Sequence, residues 1–149
     1  MTLSQWKDNG WLQEHQTSPS EIQGMWSIVR RDLVDATGPV SADWRFGIAY
    51  NAALKLCTIL LHASGYRAVR DQHHHRTIAV LPLILGSESQ ADAAYLDTCR
   101  AKRNTVEYDL AGAATDADAA ELLNFANELK GQVMAWLQEN RPELLPAGR

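Results

Sequence analysis

The chain has 149 residues, 46% of them apolar and 21% charged, the balance of one globular domain with a core of its own. Its formal net charge of −4 argues against a general nucleic-acid coat. The polar opening from Met1 to Gly10 lacks the apolar stretch of a signal peptide. The longest apolar run, Ile78–Leu85, is far too short to cross a bilayer and contains Pro82, so a cytoplasmic protein with no membrane partner is expected.

Residues 1–17 read as a loose arm anchored by Trp6 and Trp11. Ser18 then offers a helix cap, Pro19 suits the first helical position and Glu21 completes a capping box. A helix is expected from there to about Ala36, with Ile22, Trp26, Val29, Leu33 and Val34 near helical spacing, stopped by Thr37, Gly38 and Pro39. Ser41 and Asp43 open a second helix of roughly 35 Å. Trp44, Ile48, Ala52, Leu56 and Ile59–Leu60 mark its apolar face, and Gly65 closes it. Beyond Ala49 it is apolar over most of its circumference, which predicts burial on two sides, in the bundle centre or at a dimer seam.

A third helix is expected from His73 to Leu85, kinked or shortened by Pro82 and ended by Gly86. Ser87 to Gln90 start a fourth, which Gly112 breaks. Thr115 and Asp118 cap the last helix, whose stripe is Ala119, Leu122, Leu123, Ala126, Leu129, Val133 and Trp136–Leu137, with Pro142 as its terminator. No segment alternates like a strand. The pattern predicts an all-α, up-down bundle of about five helices over residues 18–140, with a tail at 141–149. Cys57 and Cys99 fall in apolar helical patterns and read as two buried thiols rather than a disulfide.

Positive charge is segregated along the chain. Arg67, Arg70, Arg76, Arg100, Lys102 and Arg103 fall in the windows 66–76 and 100–103, where Asp71 is the one acid. A local basic patch on an acidic body suits a polyanion. On the fourth helix, Tyr95, Leu96, Cys99, Val106 and Leu110 gather into one arc, and Arg103 projects into it. Arg100, Asn104, Glu107 and Tyr108 continue round one side. A guanidinium at the rim of a core needs compensation. Glu107, one turn on, can supply it as an ion pair that closes the bundle. Arginine before glutamate is, however, the weaker order for that spacing, so a site that holds Arg103 in a fixed orientation is the competing account.

The order of segments "AYNAALKLCTILLHASGYR" (49–67), "HHHRTIAVLPLILG" (73–86) and "YLDTCRAKRNTVEYD" (95–109) resembles the second, third and motif helices of the HEPN superfamily. The most specific part is Arg103-Asn104 followed by Glu107-Tyr108-Asp109, and the likeness covers residues 20–138. The resemblance implies a four- to five-helix bundle, commonly a homodimer, in which two motif helices form one composite cleft. Active members are metal-independent ribonucleases, often toxins or defence effectors encoded beside a small nucleotidyltransferase antitoxin. Others resemble the C-terminal domain of aminoglycoside nucleotidyltransferases and help bind nucleotide. Where the family's histidine would stand, this chain has Tyr108. A histidine exchanges protons near neutral pH, whereas a tyrosine of ordinary pKa about 10 donates a proton or a hydrogen bond. The resemblance therefore implies Arg103 on the scissile phosphate, Asn104 orienting phosphate or ribose, Glu107 fixing Arg103, and Tyr108 in the histidine's place. In some members a tyrosine near the motif accepts AMP from the nucleotidyltransferase, a role for which Tyr108 is the candidate.

The run His73-His74-His75-Arg76 invites a metal reading, but consecutive helical residues point about 100° apart and cannot face one ion. His62 or Cys57 would have to join, and spacing gives no support; His15 and His62 offer no pattern of their own. No metal and no cofactor are expected. His74 or His75, with Arg76, Arg100 and Lys102, instead suits the phosphate-facing wall of a cleft. Three functions stay open: an RNA-directed ribonuclease, a non-catalytic module for nucleotide or a nucleotidyltransferase partner, and a structural helical protein.

Overall fold

A capping box between Thr2 and Gln5 starts α1 (Leu3–Asp8). A turn at Gly10 then leads into a three-residue strand, β1 (Leu12–Glu14). The segment expected as a loose arm is thus a helix and a strand packed on the bundle. Trp6 and Trp11 meet edge to face with centroids 5.4 Å apart, and Leu12 is buried with Leu61 and Val80 in a small second core. The computed structural model describes residues 1–106 and 110–148.

Ser18 caps α2 (Pro19–Asp35) by accepting from the Glu21 amide at 3.1 Å, and Pro19 takes the first position. The other half of the expected capping box is not made. The Glu21 carboxylate turns away, accepts from Thr17 Oγ1 at 2.7 Å, and meets His15 Nε2 at 2.8 Å and His62 Nδ1 at 2.9 Å. Burial would raise its pKa, but these hydrogen bonds hold it down at about 2. Ile22, Trp26 and Val29 are buried. Val34, expected on the same face, is exposed, because five residues beyond Val29 the helix has turned it well off the stripe.

Ser41 caps α3 (Ala42–Ala63) through the Trp44 amide at 3.2 Å. Phe46, Ala49, Tyr50, Ala53, Leu56, Cys57 and Leu60 are all buried. Trp44, expected on the buried face, is 66% exposed; standing two residues before Phe46, it points to the opposite side of the helix. By length and composition α3 could cross a membrane, but 61% of its apolar window is buried inside the bundle. Next comes β2 (Tyr66–Ala68), antiparallel to β1 with Leu12 opposite Ala68 and Glu14 opposite Tyr66. Strands of three residues carry too little alternation to be read from sequence.

The expected third helix is split into α4 (His73–Ala79) and α5 (Leu81–Leu85), which meet at Val80. Pro82 supplies no amide for the carbonyl one turn back, so the ladder cannot run through. Gly86, at φ +109°, takes the chain into a 3-10 turn over Ser87–Ser89 and then α6 (Gln90–Asn104). The α-helical part of α6 ends at Asn104. After Asn104 the turn widens, and the Leu110 amide donates to the Thr105 carbonyl at 2.8 Å. The wider turn changes the phase, so Leu110 is exposed instead of completing the apolar arc. Thr115 and Asp118 form the capping box of α7 (Asp116–Asn140), whose buried stripe is Ala119, Leu122, Ala126, Leu129, Val133 and Leu137.

The outcome is an all-α bundle of about five long helical units with a two-stranded ribbon at one end. Its axis is α3, which packs most extensively against α7 and α2 and also touches α4 and α6. The C-terminal tail belongs to the core: Leu144 and Leu145 are buried, and the Trp26 indole donates to the Leu144 carbonyl at 2.9 Å. Cys57 and Cys99 are free and buried, and burial pushes both thiols up.

One acid at the start of α3 holds the α6–α7 connection in place. Asp43 accepts from the amides of Gly112 at 2.6 Å and Ala114 at 3.1 Å, and Arg45 pairs with Asp116 beside it. Asp43→Ala is expected to cost about 1–2 kcal/mol, since hydrogen bonds to a charged acceptor are worth more than neutral ones but these are partly solvated. Thermal unfolding should show a fall of several degrees with the cap at Ser41 intact; an unchanged midpoint would remove Asp43 as the anchor of this loop.

Candidate functional site

Arg103 sits near the end of α6, where the helix passes the first half of α3. Its side chain is half-buried, with the guanidinium carbon 5.6 Å from the centroid of the Tyr50 ring, within cation–π range. It lines a cavity of about 450 Å³ together with Arg31, Asp32, Trp44, Asn51 and Val106. Arg103 thus stands at the rim of the apolar interior and faces a concavity.

Three of those wall residues were not singled out from sequence. Asp32 is only 4% exposed; it accepts from Asn51 Nδ2 at 2.6 Å and Arg31 Nε at 3.0 Å. A buried carboxylate held this way is satisfied, which is the condition for its burial. The signal was present: Asp32 falls on the apolar stripe three residues after Val29, and Asn51 interrupts the run Ala49-Tyr50-Asn51-Ala52-Ala53. Each is a polar residue at a core position. Trp44 lay in the other direction, an apolar residue whose exposure only the helix phase reveals.

A second group gathers where α4 meets α6. His73, His74 and His75 line a cavity of about 400 Å³ with Gln72 and Arg100. Gln72 takes the left-handed conformation at φ 54°, uncommon for a residue with a side chain, and launches α4 from it. His75 Nδ1 and Arg100 Nε both meet Asp97 Oδ1, at 3.0 and 2.8 Å. The Arg100 hydrogen bond in turn holds the Asp97 carboxyl below its ordinary range. His74 Nδ1 lies 3.5 Å from the Tyr50 hydroxyl. The buried Tyr50 therefore lies between a residue of each cavity, with its ring toward Arg103 and its hydroxyl toward His74.

The electrostatics of this wall are specific. Burial, reinforced by the charges of His73, Arg103, Arg100 and Lys55, pushes His74 down to about 4, so its ring is neutral near pH 7. Burial pushes the Tyr50 hydroxyl up against the opposing pull of Arg103 and Arg100, so it stays protonated. The two cavities offer cations and one neutral imidazole, with the buried Tyr50 phenol behind them, a set suited to binding an anion and moving a proton.

Of the residues proposed from sequence, Arg103, Arg100 and His74 come near Tyr50, and His75 meets Arg100 at Asp97. Arg76 lies elsewhere, with its guanidinium carbon 4.4 Å from the centroid of the Trp11 ring. Lys102 pairs with Asp118 at 2.9 Å. Asn104 is exposed at the helix end and does not line the Arg103 cavity. Glu107 and Tyr108 lie outside the described residues. The basic windows of the sequence are partly neutralised in space, since Asp97 and Asp118 come from outside them. His62 does not join the His73–His75 run, being held at Glu21 together with His15.

A group whose folded pKa is depressed stabilises the fold above its unfolded pKa, and that stability is lost as pH falls toward the folded value. For His74 the window runs from the ordinary 6.5 down to about 4. His74→Gln should therefore flatten the loss of thermal stability between pH 7 and pH 5. In the wild type, NMR titration should find this imidazole still neutral at pH 5.5, and a midpoint near 6.5 would disprove the burial account. No family model matches the chain, and neither a curated protein nor a solved structure does so.

Proposed function

We propose that the protein is an RNA-directed member of the HEPN type that holds nucleotide units in the cavity between α3 and α6. The observation that carries this reading is the meeting, in one cavity of about 450 Å³, of the half-buried Arg103 and the exposed indole of Trp44. That volume lies within the range of small-ligand sites. An exposed indole beside fixed cations is a stacking platform for a base, and Arg103 is placed to take the neighbouring phosphate. The reading extends to a homodimer and to a nucleotidyltransferase partner of a toxin–antitoxin pair. Trp44, Val34, Val40 and Leu110 are exposed at this end of the bundle and supply an apolar face for either.

A second reading, metal-independent ribonuclease activity, is favoured by His74. Its neutral ring lines the neighbouring cavity and lies 3.5 Å from the hydroxyl of Tyr50, whose ring Arg103 faces. In that reaction the ribose 2′-oxygen attacks the adjacent phosphorus while His74 accepts its proton. The bond to the 5′-oxygen breaks, and the products are a 2′,3′-cyclic phosphate and a 5′-hydroxyl. Arg103 stabilises the charge that develops on phosphorus. Tyr108, with Glu107 and Asn104 beside it in sequence, is the proposed proton donor to the leaving oxygen. A ring held at about 4 is a weak base, but a phosphodiester placed among its cationic neighbours favours the protonated form and strengthens it.

The test is anisotropy of a labelled single-stranded RNA, followed by a cleavage gel in the presence of chelator. Arg103→Ala and Trp44→Ala should each weaken binding by about 5- to 150-fold, the range for loss of one stacking or charged contact. His74→Ala should abolish cleavage while sparing most of the binding. RNA that binds the Arg103→Ala variant as well as the wild type would overturn the site. RNA that is bound but never cut would leave the binding reading and dispose of the ribonuclease.

A further inference from the structure

We propose that His15, Glu21 and His62 form a binding site for one divalent ion of the zinc class, a clamp that ties the N-terminal segment to the bundle. Three separate elements each deliver one ligand. His15 directly follows β1, Glu21 lies in the first turn of α2, and His62 lies in the last turn of α3. The sequence gives no spacing rule for such a set, because the three meet only when the β1–β2 ribbon folds back over the end of α3.

The donor atoms already converge. Glu21 Oε1 is 2.8 Å from His15 Nε2 and 2.9 Å from His62 Nδ1, and all three atoms lie within 4.8 Å of one another. Two imidazoles and a carboxylate are a zinc donor set with bonds of about 2.0–2.2 Å, which at tetrahedral angles separates neighbouring donors by about 3.3 Å. The two nitrogens would retreat from the carboxylate oxygen by roughly half an ångström to admit the ion. A neutral imidazole that now points an N–H at Glu21 coordinates by carrying its proton on the other ring nitrogen, so no net proton is lost.

The surroundings fit a metal better than a hydrogen-bonded pair alone. One partner is enough to satisfy a half-exposed carboxylate oxygen, yet two imidazoles and a hydroxyl are gathered on this one, with the rings 4.4 Å apart between centroids. Thr17 Oγ1, at 2.7 Å from the same oxygen, fixes the carboxylate in the manner of groups that stand behind metal ligands. His15 also lines a surface cavity of about 370 Å³ with Ser64, Gly65 and Tyr66, which gives an ion a way in and a water the fourth position. The cluster stands about 18 Å along α3 from Tyr50, so it is separate from the Arg103 cavity and does not depend on the function proposed for it.

The test uses the full chain, freed of metal by a chelator and titrated with Co²⁺, whose four-coordinate complexes absorb visibly, then with Zn²⁺ as competitor. The wild type should bind one Co²⁺ with these bands, and Zn²⁺ should displace it and protect residues 1–17 from limited proteolysis. His15→Ala, on the partly exposed side, should lose the bands with its helical circular dichroism unchanged, and Thr17→Val should weaken binding by about 10-fold or more. A variant with His73→Ala and His75→Ala should bind as the wild type does. Absence of the bands in the wild type, their survival in His15→Ala, or their loss in the His73/His75 variant would overturn the site.

Discussion

The fold depends on the desolvation of α3. A 22-residue helix that is apolar over most of its circumference is unstable in water unless other elements surround it, and burial of each large apolar side chain contributes about 1.5–3 kcal/mol. Helices α2 and α7 cover its two broad sides, α4 and α6 cover more, and even the tail contributes Leu144 and Leu145. The N-terminal ribbon answers the same demand at the far end, where Leu12 closes over Leu61. The polar groups at each end of the molecule are placed by this packing.

Where α3 carries polarity, chemistry collects. Tyr50 is almost fully buried, and Arg103 and His74 approach it from α6 and α4. Asn51 holds the buried Asp32 of α2. His62, in the last turn, meets Glu21 and His15. Among the described residues no buried side-chain nitrogen or oxygen lacks a partner, so these interruptions of the core are compensated rather than tolerated. Departures from apolar patterning that are fully satisfied and border a cavity are where function is expected to lie.

Charge follows the same logic. The linear segregation of arginines suggested an open basic strip, but the fold draws Asp97 to Arg100 and Asp118 to Lys102, and stacks Arg76 on Trp11. The result is a local cluster of Arg103, Arg100 and His74 near Tyr50 instead of an open strip. Such a cluster is consistent with the net acidity of the chain.

The all-α bundle of about five main helices, the caps at Ser18, Ser41 and Thr115, the breaks at Pro82, Gly65 and Gly86, and the stripe of α7 were legible in the residues, because helical periodicity, capping and proline breaks are local in sequence. The placement of Arg103 at the rim of the core was legible for the same reason. The exposure of Trp44, Val34 and Leu110 was not, since it turns on helix phase and on a widened turn after Asn104. Nor were the pairing of β1 with β2, the neutralising acids Asp97 and Asp118, or the convergence of His15, Glu21 and His62. Each of these joins residues distant along the chain, and their distances are set by how the helices pack around α3, a collective outcome that no short window of sequence encodes.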